Sequence, residues 1–163
     1  MNHSGSPTLG RQLAATAKAT RAEFDARLGE VGGSLTAFIV LRLASEAPGG
    51  LELSQRQLAE RMGVEAPTMV RHLDRLEREG LIERRRDARD RRVTRITVTP
   101  AGSRRLGLLR KVSDAMDAEI LTVLGGETYA ALAGALDRLC GHMTRLAGER
   151  KPHMHAALGK GVA

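Results

Sequence analysis

The chain has 163 residues, with 26 Lys+Arg against 19 Asp+Glu, a formal net charge of +7. That length suits one compact unit or two small ones, and three aromatics, Phe24, Phe38 and Tyr129, are too few for the stacking platforms of an RNA-binding sheet or a single-strand channel. A single cysteine, Cys140, makes neither an intrachain disulfide nor, by itself, a zinc site, and no apolar run approaches the roughly 18 residues of a membrane helix.

Residues 1–8 read as a disordered start, Ser/Gly/Pro-rich and without an apolar signal core, which with the lone thiol predicts a reducing cytoplasm. From Leu9 the apolar positions Leu13, Ala17, Phe24 and Leu28 recur at helical spacing until Gly29, Gly32 and Gly33 break the pattern. Ser34 is placed to N-cap a second helix running to about Ala47. Pro48-Gly49-Gly50 is a turn, and Leu51 to Leu53 is a very short strand. Ser54 followed by Gln57 is a capping-box pattern opening a helix that ends at Gly63. The next helix begins near Glu65, tolerates Pro67 in its first turn, and stops at Gly80.

At Leu81 the period changes from helical to alternating. Leu81 to Arg84 and Val93 to Thr99 read as strands of a hairpin whose charged tip spans Arg85 to Arg92. Thr99-Pro100 is an N-cap followed by Pro at the first helical position, opening a long helix to about Leu124. A last helix runs from about Glu127 to Gly148, and residues 151–163 read as a flexible tail. Cys140 falls on the apolar stripe of that helix, where a buried, unreactive thiol is expected. The predicted fold is mainly α with a small β wing.

The charge is not spread evenly. Ser54 to Arg105 holds fourteen basic and eight acidic residues, which is +6, leaving +1 for the rest. A local excess of this kind marks a docking site for an anion. Two features in that segment give it a form. Ala59, Gly63 and Met69 have the spacing of a helix-turn-helix: a small residue at the crossing, a turn residue tolerating positive φ, and an apolar return to the crossing. With Met69, Leu73 and Leu76 inside, Thr68, Arg71, His72 and Arg75 point away. Arg71 can donate bidentately to guanine or bind phosphate, and Thr68 can touch a thymine methyl or a phosphate. The second feature is the hairpin, with Arg84, Arg85, Arg86, Arg89, Arg91, Arg92 and Arg95 offset only by Asp87 and Asp90. Such self-repulsion calls for an anion, and a basic wing suits a narrow minor groove. Asp87 or Asp90 can hold one arginine extended by pairing with it.

The run Leu53 to Gly102 resembles the winged-helix core of the MarR family of bacterial transcription regulators. Its wing pattern stands here as Asp87, Asp90-Arg91-Arg92 and Val98-Thr99-Pro100-Ala101-Gly102, and Gly63 to Ile82 is similar to the SlyA branch. The resemblance implies a winged helix-turn-helix DNA-binding domain at 34–103 and a helical dimerisation domain at 9–33 and 104–150. It implies a homodimer on a pseudo-palindromic operator of double-stranded DNA, with Arg71 in the major groove, Arg91 in the minor groove, and Ser54, Gln55 and Arg56 on phosphates. It also implies a small phenolic or aromatic-acid ligand, for which Arg21, Thr36, Phe38 and Arg42 are the candidate residues. Phe38 also reads as core, and Arg42 and Arg21 as surface or interface ion pairs. The histidines form no i, i+4 pair, and there is no nucleophile elbow or phosphate loop, so neither catalysis nor a cofactor is expected. The alternative reading is a sequence-independent nucleoid or architectural protein, which shares the basic wing.

Overall fold

The computed structural model describes residues 8–47, 52–88 and 90–157, with residues 147–157 described by their backbone alone. The expected Pro48-Gly49-Gly50 turn and the expected wing residue Arg89 lie outside the described residues, as do positions 1–7 and 158–163. The elements in chain order are α1 (Leu9–Glu30), α2 (Leu35–Ser45), β1 (Leu53–Ser54), α3 (Gln55–Met62), α4 (Ala66–Arg78), β2 (Ile82–Arg86), β3 (Thr94–Val98), α5 (Pro100–Leu124) and α6 (Gly126–Ala157).

The caps form where short polar side chains replace missing helical partners. The Ser34 hydroxyl accepts from the Ala37 N–H at 3.2 Å, and the Asp25 carboxylate of α1 accepts from the Leu35 N–H at 2.8 Å. At α3, the Ser54 hydroxyl accepts from Gln57 at 3.2 Å while the Gln57 side chain accepts from the Ser54 N–H at 2.8 Å. This is the reciprocal box expected from the spacing. Thr99 caps α5 by accepting from the Gly102 N–H at 3.0 Å.

The three strands form an antiparallel sheet in the order β1-β3-β2. Leu53 pairs with Ile96, and Ile82, Arg84 and Arg86 pair with Val98, Ile96 and Thr94. The strand β2 extends past Arg84 to Arg86, because backbone pairing with β3 continues into the charged stretch. Of the strand expected at 51–53, Leu51 lies outside the described residues; among those described, Leu53 and Ser54 pair with β3.

The chain divides into two compact units, Met1–Met116 and Asp117–Ala163. The first has one apolar core. Leu28 of α1, Val40 and Leu41 of α2, Leu58 of α3, Met69 and Leu73 of α4, Ile82 and Ile96 of the sheet, and Leu109 of α5 are essentially inaccessible to solvent. In the second unit, the end of α5 and the helix α6, Leu121, Leu132, Leu136 and Met143 are exposed. Cys140 is exposed as well, which corrects the expected buried thiol. Its stripe is apolar, and Leu136 and Met143 beside it are exposed too.

The helix α6 also corrects the expected end near Gly148: its backbone continues to Ala157. Residues 149–151 and 156–157 are good helix formers, and Pro152 forfeits one intrahelical hydrogen bond without ending the helix.

Candidate nucleic-acid interface

The helix-turn-helix is assembled by three small decisions in the sequence. Ala59 is buried where α3 meets α4. Gly63 adopts φ 63°, a conformation that costs a side-chain-bearing residue about 1–2 kcal/mol. The Val64 N–H then reaches back to the Ala59 carbonyl at 3.1 Å, closing the turn. Met69 returns to the crossing, fully buried. The helix α4 is thereby fixed on its Met69-Leu73-Leu76 stripe.

The four residues expected on its outer face divide into two pairs. Thr68 is half-buried and Arg71 exposed, and Arg71 forms no ion pair among the described residues. His72 and Arg75 instead line a hollow of about 260 Å³ with Thr36, Ser34, Asp25 and Glu79. Arg75 is held there by Glu79 at 2.8 Å. Positions 72, 75, 76 and 79 form one i, i+3, i+4, i+7 stripe, so they turn together toward the α1–α2 junction.

The three expected phosphate contacts also differ. Ser54 is buried and its hydroxyl is committed to the cap. Arg56 is exposed and paired with Glu60 at 2.8 Å. Gln55 lines a second hollow of about 240 Å³ with Arg84, Arg85, Arg86 and Thr94. That hollow brings together residues singled out separately as phosphate-binding and as wing. With Arg85 and Arg86 beside Gln55, it suits an anion.

The wing is more ordered than its composition suggests. The Asp87 N–H donates to the Val93 carbonyl at 3.0 Å, and Val93 donates to Asp90 at 2.9 Å. The Asp87 carboxylate accepts from the Asp90 N–H at 3.1 Å, and Asp90 accepts from the Arg92 N–H at 2.9 Å. Two aspartates thus build the turn, as Asx side chains do. Asp87 also pairs with Arg95 at 2.6 Å, whose other nitrogen reaches the Glu52 carbonyl at 3.0 Å. The expected Asp–Arg pairing therefore involves Asp87 and a strand arginine.

Among the remaining wing arginines, Arg86 donates to the Arg91 carbonyl at 3.2 Å and Arg85 pairs with Glu83 at 2.6 Å. The Arg91 and Arg92 side chains are exposed and form no ion pair among the described residues. Arg84 is the exception. It turns to α4, where it binds Asp74 and, at 2.8 Å, Glu77. The hydrogen bond from Arg84 holds the Glu77 carboxyl below the usual glutamate range, with burial opposing it. Neither Asp74 nor Glu77 was singled out in the sequence. Their i, i+3 spacing is visible there, but the partner comes from a strand whose facing residue depends on register.

The four candidate ligand residues do not share one cavity. Phe38 is buried and stacks edge-on against Phe24 at 5.9 Å, because it lies on the core face of α2. Arg42 lies over that ring at 5.8 Å and near Glu46 at 3.9 Å. Arg21 is exposed beside Asp25 at 4.0 Å. Only Thr36 opens into the hollow with His72 and Arg75. Among the described residues, no group of His, Cys, Asp and Glu is arranged to hold a metal, and no single helix is long and apolar enough to cross a membrane.

Residues 34–94 match the family model described as the MarR family. The fold agrees with solved structures along most of its length. A structure described as the transcriptional repressor CouR bound to a 23-mer DNA duplex is 26% identical, with 82% of this chain and 92% of that one covered and a TM-score of 0.76. The transcriptional regulator BldR from Sulfolobus solfataricus is 28% identical over 82% of this chain and 93% of its own, with a TM-score of 0.72. MarR itself is 24% identical over 91% and 99%, with a TM-score of 0.74, a likeness of fold.

Proposed function

We propose that this chain, a MarR-type winged-helix DNA-binding transcription regulator by its fold and its 34–94 segment, acts as a homodimer on a pseudo-palindromic operator. Residues 34–103 read the DNA, and 9–33 with 104–150 carry dimerisation. The observation that carries the reading is the placement of unpaired arginines. Arg71 stands exposed on a helix fixed by a helix-turn-helix, and Arg91 and Arg92 stand exposed at the tip of an ordered wing. Arg71 donates to a base edge in the major groove, Arg91 enters the adjoining minor groove, and the hollow of Gln55, Arg85 and Arg86 seats a backbone phosphate.

A two-fold dimer sets two such readers about one helical turn apart. The exposed Leu132, Leu136 and Met143 support dimerisation, since a contiguous apolar helix face marks an association surface. The Gly63 to Ile82 pattern supports a place near the SlyA branch, and repression in the cytoplasm, on the nucleoid, is the outcome we assign. A small aromatic acid fits the hollow of Thr36, His72 and Arg75, where Arg75 exchanges Glu79 for the ligand carboxylate.

Selection of bound sequences from a random duplex pool, with and without salicylate, tests this. A palindromic motif with half-sites about one turn apart is expected, weakened by millimolar salicylate. Recovery of no motif at all would replace the regulator by an architectural DNA-binding protein.

A further inference from the structure

Arg84 belongs by position to the basic wing, yet its charge is spent inside the molecule. In β2, Ile82 is buried, Glu83 exposed, Arg84 half-buried and Arg85 exposed. The two-residue period puts Arg84 on the face of Ile82, toward α4. There it makes a four-bond contact. Its backbone N–H donates to Glu77 Oε1 at 3.2 Å, and its Nε and Nη2 both donate to Glu77 Oε2, at 2.9 and 2.8 Å. The same Nη2 also donates to Asp74 Oδ1. A rigid guanidinium fork engaging two carboxylates one helical turn apart fixes direction as well as distance.

The location gives this contact its meaning. Asp74 lies one turn beyond Arg71 on α4, and Arg84 lies two residues before Arg86, whose side chain holds the wing tip through the Arg91 carbonyl. The clamp therefore joins the helix that carries Arg71 to the strand that carries the wing. It also screens two carboxylates that would otherwise face a polyanion.

We infer that Arg84 is a positioning residue and not a DNA contact: with Asp74 and Glu77 it sets the offset between recognition helix and wing, so that Arg71 and Arg91 reach adjacent grooves together. This rests on the DNA-binding reading above and specifies how its two halves are coordinated.

The sign of one substitution separates the two roles. Removing acids from a DNA-facing helix ordinarily tightens binding, because each lost negative charge favours the phosphates. The clamp predicts the reverse. With the full-length chain and its selected operator, Asp74→Asn with Glu77→Gln should weaken binding three- to ten-fold, roughly the range of substitutions that act on coupling without touching the ligand. Hydroxyl-radical protection of the minor-groove flanks should fade while dimethyl-sulfate protection of major-groove guanines persists. Arg84→Ala should do the same with an unchanged slope of log affinity against log salt, and Arg84→Lys, which keeps charge but loses the fork, should fall between.

Tighter binding by the acid-free variant with an intact footprint would overturn the inference. So would a slope reduced by about 0.9 in Arg84→Ala, the mark of one lost phosphate contact. Leu73 and Leu76 of α4 share one buried core with Leu81 and Ile82 at the start of β2, so the variants should fold, as thermal melting would check. If the wild-type chain binds no duplex, the DNA reading falls by itself. Amide exchange across residues 82–95 then decides the clamp: faster exchange in Asp74→Asn/Glu77→Gln supports it, and unchanged exchange overturns it.

Discussion

The segment from Leu28 to Leu109 and the segment from Asp117 onward use the same amphipathic helices to different ends. Every buried apolar residue among those described lies in the first, from Leu28 through Met69 and Ile96 to Leu109. In the second, Leu121, Val123, Leu132, Leu136 and Met143 are exposed. The residue types match, and what differs, among the described residues, is whether they are buried. A helix stripe is stabilising only when something covers it. The first segment has a sheet and crossing helices for that purpose, whereas the second leaves its stripe exposed, the face we propose for dimerisation. The charge follows the same division, since the +6 excess falls in the self-covered part.

The largest expected effect erases this division by removing the partner. Leu132→Lys with Leu136→Lys places two charges on the open stripe of α6 while leaving the core of the first segment untouched. Sedimentation should show a monomer, and operator affinity should fall by about 100-fold or more, since the second half-site no longer gains from linkage to the first. A dimer that survives both lysines would move the interface off α6.

The next tests the first segment where it is most tightly built. A Cβ on Gly102 would lie 2.0 Å from the Leu81 carbonyl oxygen and 2.8 Å from Val98 Cγ1. The carbonyl belongs to fixed backbone, so Gly102→Ala should destabilise the fold by about 3 kcal/mol, read as a lowered melting temperature. Gly63→Ala provides the contrast. Its Cβ meets open space, and only the positive φ opposes it, for about 1 kcal/mol.

These two glycines show how far the sequence could be read. Gly63 was legible because a left-handed turn leaves a local signature, and so were the caps at Ser34, Ser54 and Thr99, each decided within three residues. Gly102 was visible only as part of a family pattern. Its physical reason, the close approach of Leu81, comes from residues twenty-one positions away. The site divides likewise. Arg71, Arg91 and Arg92 were legible as exposed cations, whereas the roles of Arg84, His72 and Arg75 depend on which carboxylates and which hollow the tertiary fold sets beside them. Cys140 departs from its expected burial because an apolar helical period does not by itself say which stripe is buried.

Within the interface, Arg71→Ala should cost about 1–3 kcal/mol on the operator and much less on unrelated duplex. Arg91→Ala should weaken both more evenly and lower the salt slope by about 1. Titrations at several salt concentrations would distinguish the two patterns. An equal loss on all sequences for Arg71→Ala would make it a phosphate contact.

The smallest effect concerns the seam between recognition helix and wing. The guanidinium and backbone N–H of Arg84 keep the Glu77 carboxyl below its ordinary range, against the opposing effects of burial and Asp74. A carboxyl depressed on folding adds stability above its unfolded pKa, about 4.3, and loses that contribution as pH falls through the lower folded value. Arg84 stays charged throughout, so the dependence comes from the carboxyl side. Melting temperatures of the wild type and Glu77→Gln should therefore differ by a constant amount from pH 5.5 to 8 and converge below about pH 4. The gap should be modest, because the Glu77 side chain is 41% exposed and solvent screens the pair. Curves that stay equally separated at low pH would mean that the glutamine disturbs packing rather than the ionised contact.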